Sequence, residues 1–169
     1  SLSDCYWLRP ADCAELKWQN LNYFENDFER SAPEERSSWL EGIGLKNPDN
    51  TSEGELPKSW MIRNGIRVLA KGCGVDDQRP FNEAVATALH RRLLSEGEFV
   101  PYTVERMFDG PACLCEDFLD GREEYVPAVY VKGALGGQRG NSTYDRYCRC
   151  LGKHGADEAA VRRSMSQMI

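Results

Sequence analysis

Lys71 closes an otherwise apolar run, Val68-Leu-Ala-Lys71, and Glu83 follows twelve residues later where a helical pattern begins. An ammonium in that position must face solvent, a carboxylate or a phosphate, because burying it unpaired is costly. A helix glutamate is the group that holds such a lysine towards phosphate oxygens. Upstream, Thr51-Ser-Glu-Gly-Glu-Leu-Pro-Lys58 offers Ser52, the Gly54 backbone and Lys58 as a loop able to cover phosphates. Backbone amides in glycine turns form anion-binding nests. Each piece also has a plainer reading. A lysine at a strand end can be a surface residue, a glutamate near a helix start suits the helix dipole, and the loop can be a polar linker. The pattern alone leaves both readings open.

Seven cysteines include two C-x-C pairs, Cys113/Cys115 and Cys148/Cys150, with His154 close to the second. Zinc sites use C-x2-4-C spacing, since the loop needs room to bring two thiolates onto one ion. In a strand such a pair shares a face, whereas in a helix, expected for Cys148 and Cys150, it diverges by about 200°. Reduced core thiols are expected, with no metal residues, which suits a cytoplasmic protein.

The elements that position these residues follow from periodicity. The aromatics Tyr6, Trp7, Trp18, Tyr23, Phe24 and Phe28 in residues 1–28 need a surface to pack on, so this opening is expected to wrap the domain. A long polar loop covers 42–57. Lys58–Arg63, Asn64-Gly65 and Ile66–Lys71 form a hairpin, because Asn-Gly supplies the two positive-φ residues of a type I′ turn. Trp60 and Ile62 are expected to share an apolar face with Ile66, Val68 and Ala70. A helix starts near Pro80, with Phe81, Val85, Ala88/Leu89 and Leu93 as its apolar stripe and Gly97 as its stop. Glu83 falls off that stripe, beside the small residues Ala86 and Thr87. A second hairpin spans Val100–Met107 and Pro111–Phe118, turning at Asp109-Gly110. Two helices, roughly 142–152 and 156–169, are joined at Gly152–Gly155. The fold class is therefore α+β: a small antiparallel sheet with one helix, then further helices.

These segments resemble, in order and spacing, the N-terminal portion of HipA-like Ser/Thr kinases. The resemblance is carried by Ser52-Glu-Gly-Glu-Leu-Pro-Lys58, which fits S/T-x-G-x-L-P-K, and by Trp60-Met-Ile-Arg-Asn-Gly-Ile-Arg-Val-Leu-Ala-Lys71-Gly. It continues through Pro80-Phe-Asn-Glu83-Ala-Val-Ala, Val100-Pro-Tyr and Cys115-Glu-Asp-Phe118. The openings Ser3–Pro10 and Asn22–Phe28 are similar to the subgroup in Gram-positive bacteria. The resemblance implies a kinase-like N-lobe over 1–122 and the start of a helical C-lobe over 123–169. It implies that Lys71 contacts the α/β-phosphates of ATP and pairs with Glu83. Ser52, Gly54 and Lys58 would cover the phosphates, and the segment holding Glu116 and Phe118 would be the hinge that binds adenine.

Phosphoryl transfer further needs an aspartate for the substrate hydroxyl and Asn/Asp ligands for Mg²⁺. In the family these follow a helix like 156–169, within D-x-H-x-x-N. The sequence stops at Ile169, so the expectation is nucleotide binding with no catalytic residue in this chain, ATP and Mg serving a longer parent enzyme. Asp77/Asn82 and Asp117-Phe118 match catalytic spacings only by accident. Members of the family are toxins or regulators of toxin–antitoxin systems, which implies a protein substrate or antitoxin as partner. The alternatives are a non-catalytic interaction module and, from a label carried by relatives near mobile elements, an excisionase.

With 27 acidic and 21 basic residues the net charge is −6, and Arg91-Arg92 and Arg162-Arg163 are isolated pairs. DNA therefore receives no help from phosphate attraction. No run of about 18 apolar residues can span a membrane, and Ser1–Pro10 lacks the regions of a signal peptide. Met165, Met168 and Ile169 offer an apolar face for self-association.

Overall fold

The computed structural model describes residues 8–28, 56–72, 77–107, 110–121, 123, 125–133 and 142–167. The chain divides into two compact units, Ser1–Glu124 and Tyr125–Ile169. The expected loop residues Ser52 and Gly54 lie outside the described residues.

The first unit is built on β1 (Lys58–Arg63), β2 (Ile66–Gly72), α1 (Arg79–Leu93), β3 (Thr103–Met107) and β4 (Gly110–Glu116). All strand pairs are antiparallel, in the order β1-β2-β4-β3. The strand after the helix takes the edge, and β4 returns to the centre beside β2. Asn64 at φ 52° and Gly65 at φ 80° make the tight turn expected of Asn-Gly.

That turn also fixes which side chains share a face, and here the sequence expectation fails. A two-residue turn pairs Arg63 with Ile66, so Trp60 stands opposite Leu69 and Met61 opposite Val68. Directly opposed residues point to the same side. One face therefore carries Met61, Val68, Ala70, Ala112 and Leu114, which join Met107 in a buried core. The other carries Trp60, Ile62 and Leu69, packed with Tyr23, Phe24 and Phe28. Part of the aromatic opening does wrap the sheet, with Tyr23 and Phe28 meeting edge to face at 5.7 Å. Arg67 fastens it by donating to the carbonyls of Tyr23 and Asn26, the latter at 2.9 Å.

The expected stripe of α1 is reversed as well. Phe81, Val85, Leu89 and Leu93 are 51%, 69%, 54% and 68% exposed. Pro80 and Thr87 are buried, with Glu83, Ala84 and Ala86 half-buried. Helical period identifies a stripe but not what covers it, and small side chains let α1 approach β3 and β4 closely. The helix ends at Leu93, so Gly97 falls in the following turn. Asp77 accepts the backbone N–H of Arg79 at 2.9 Å, which gives it a structural role at the helix start. Met107 pairs with Gly110, so Gly110 belongs to β4, and the expected turn residue Asp109 lies outside the described residues.

The second unit holds α2 (Ala128–Gly133), α3 (Thr143–Lys153) and α4 (Glu158–Gln167). The Ser142 hydroxyl caps α3 by accepting the Asp145 N–H at 3.1 Å. Arg162 joins the two longer helices, reaching Asp145 at 3.0 Å and Glu158 at 2.8 Å. Cys148 is buried and Cys150 less so, as divergence on a helix requires. Among the described residues, no helix is long and apolar enough to cross a membrane.

Candidate phosphate-binding face of the sheet

The register places Lys58 directly opposite Lys71 on neighbouring strands. Their side chains share the face that also carries Arg67 and Leu69. Like charges directly opposed across a ladder destabilise it unless an anion sits between them. Two residues expected at the phosphates are thus brought together by pairing alone.

Lys71 also pairs in register with Cys113 on β4, and Cys115 lies two residues further along the same face. Glu83 approaches from α1 and, as its spacing implies, lies off the Phe81/Val85 stripe. It sits in the second turn, since the first turn of α1 carries no acid. The Glu83 charge acts on Tyr102, Cys113 and Cys115, the groups that surround Lys71. The expected Lys71–Glu83 ion pair is not closed: among the described residues no such bridge lies within 4.0 Å. Lys71 Nζ donates to the Tyr102 hydroxyl at 2.6 Å instead, and lies 4.7 Å from its ring centroid.

Tyr102 is held from a further side, its backbone N–H donating to Thr87 Oγ1 at 2.9 Å. Burial, then Cys115 and Glu83, push the phenol upward, so it stays neutral. Burial likewise pushes the Cys113 thiol up to about 11, against the pull of Lys71, and raises Cys115. Both are thiols at neutral pH, as buried cysteines in apolar surroundings are.

At the other end of β2, Phe24, Ile66, Arg67, Asp117, Leu119 and Asp120 help line an open cleft of about 320 Å³. Asp117 extends the ladder by donating its N–H to the Arg67 carbonyl at 2.8 Å. Burial raises its carboxyl, while the Leu119 amide and the Arg67 charge pull it down. Glu116 is exposed at the end of β4, and Phe118 is exposed just beyond it. Arg67 and Lys71 are four residues apart on one face, about 13 Å along the strand.

Sequence reasoning selected Lys58, Lys71 and Glu83 but missed Tyr102, Thr87, Cys115 and Arg67. Tyr102 stands beside a proline in a connector, with no periodicity to mark it. The Lys58–Lys71 opposition was calculable from the two-residue turn.

No protein-family model, curated protein or solved structure matches the chain.

Proposed function

We propose that this chain is the nucleotide-binding N-terminal part of a HipA-like Ser/Thr protein kinase, with ATP as its ligand. The opposition of Lys58 and Lys71 across the β1–β2 ladder carries this reading. They suit phosphate oxygens, and Glu83 on α1 is positioned to take Lys71 once an anion draws it over. The cleft at the far end of β2, lined among others by Phe24, Ile66 and Leu119, is the place such a ligand's purine base would take. Its separation from Lys71 suits an extended nucleoside triphosphate. The order β1-β2-β4-β3, with a helix after the lysine strand, accords with a kinase N-lobe. Fold likeness alone would not carry function.

No D-x-H-x-x-N segment stands in the sequence, and among the described residues no three acidic, thiol or imidazole groups gather as metal ligands. Binding is therefore assigned to these residues, while phosphoryl transfer and Mg²⁺ ligation are not. Bound Mg²⁺ would supply charge neutralisation at the phosphates. The residues here orient them.

The experiment is a thermal-shift titration with ATP and Mg²⁺ on wild type, Lys58→Ala and Lys71→Ala. Ligand at 100 times Kd stabilises by about 2.7 kcal/mol, a shift of several degrees. The wild type should show it, and both variants should lose most of it. A wild-type melting curve indifferent to ATP would end the proposal.

The exposed stripe of α1 favours a second reading, a protein-interaction module. Arg91 and Arg92 are exposed at that end of the helix, so the fitting occupant is an apolar helix with acidic flanks from a substrate or antitoxin.

A further inference from the structure

An ammonium that is to receive phosphate has to be available, and in this fold Lys71 is already engaged. Its partner is a neutral phenol, 2.6 Å from Nζ. We propose that Tyr102 is a latch on Lys71, holding it away from Glu83 until an anionic phosphate withdraws it. This rests on the nucleotide-binding reading above and adds its regulation.

Three features of the geometry support a latch in preference to a passive contact. Tyr102 is anchored by Thr87 through its backbone N–H. The ring is the fixed member, and the flexible lysine stem is the one free to swing. Second, the exchange is favourable only when an anion arrives. Lys71 is charged in either bond, but a phosphate oxygen adds the attraction of an opposite charge that a neutral phenol lacks, so phosphate outcompetes the phenol where water does not. Third, a waiting partner is near. The charge of Glu83 reaches the same three groups that surround Lys71, yet no ion pair joins the two. Released, Lys71 has a carboxylate on one side and phosphate on the other. The resting bond lowers apparent affinity, because only the unlatched fraction binds.

The test measures two quantities on the full chain. ATP affinity is determined for wild type, Tyr102→Phe and Cys115→Ala. Without nucleotide, the rate at which an activated ester acylates Lys71 is read by peptide mass spectrometry. Loss of one hydrogen bond corresponds to about a 3- to 10-fold change in equilibrium. Tyr102→Phe should tighten ATP binding by about that factor and accelerate Lys71 acylation severalfold. Cys115→Ala, which opens space on the face that Lys71 shares while keeping the phenol, should move both in the same direction by less. It serves in its place if Tyr102→Phe does not fold. Unchanged or weaker ATP binding in both variants, with wild-type binding intact, overturns the latch and leaves the nucleotide reading standing. Faster acylation with no ATP binding by any protein overturns the nucleotide reading, and the latch as its regulator falls with it.

Discussion

Thr87 Oγ1 accepts the backbone N–H of Tyr102 at 2.9 Å, tying the middle of α1 to the residue that leads into β3. Thr87 is only 3% exposed, so its hydroxyl has no ready alternative in water. A single hydroxyl thereby sets the height of the helix over the sheet and the position of the Tyr102 ring beside Lys71.

Thr87→Val keeps the shape and removes the acceptor. A buried N–H left unsatisfied costs about 1–3 kcal/mol. Urea denaturation should show that loss, and the Tyr102 amide should exchange with deuterium faster. A variant as stable as wild type would mean that the bond contributes nothing net.

The reversed helix stripe gives a comparison of two apolar positions. Val85 lies on the exposed side of α1, whereas Leu114 is buried in the sheet core. Val85→Gln should stay within about 0.5 kcal/mol of wild type. Leu114→Ala should cost about 2–5 kcal/mol. If Val85→Gln were the more damaging of the two, α1 would be packed the other way round.

Stability should be flat up to about pH 9 and fall above it. The Cys113 thiol ordinarily ionises at 9.0 and is raised to about 11 by burial. A raised folded-state value stabilises below the unfolded value and loses that contribution as pH rises through the folded one. Denaturation midpoints measured from pH 7 to 11 should decline in that window. The decline should be shallower in Cys113→Ala, with the raised thiol of Cys115 and the raised phenol of Tyr102 supplying the remainder.

Arg67→Met retains much of the side-chain bulk but loses the donors to Tyr23 and Asn26. Charge-assisted hydrogen bonds contribute about 1.5–3 kcal/mol. Limited proteolysis should cut within residues 18–28 several times faster than in wild type, with the sheet left intact. Equal resistance would show that the Phe28–Trp60 packing holds the segment unaided.

Much of the element order could be read along the chain, because it depends on neighbours in sequence. Asn64-Gly65 specifies its own turn, and the apolar period marks α1. Glu83 could be separated from the apolar stripe by angle alone. What lies opposite what is a different kind of information. The hairpin register turned Trp60 and Ile62 away from Val68 and Ala70, a one-residue difference that exchanges whole faces. The helix stripe faces outward because close approach of α1 to β3 and β4 favours Thr87 and the alanines over Phe81 and Val85.

Lys71 shows both levels at once. Its residue type and its place at the end of an apolar strand were enough to mark it as a group that must face solvent, a carboxylate or a phosphate. Its partner was not legible, since Tyr102 lies 31 residues away in a connector without pattern. Local backbone preferences are set by residues a few positions apart, so sequence alone determined the strands, the turn and the helix. Side-chain partnership depends on distances that only the packed sheet and helix create, and tertiary structure therefore decided that Lys71 rests on a phenol beside the carboxylate expected to hold it.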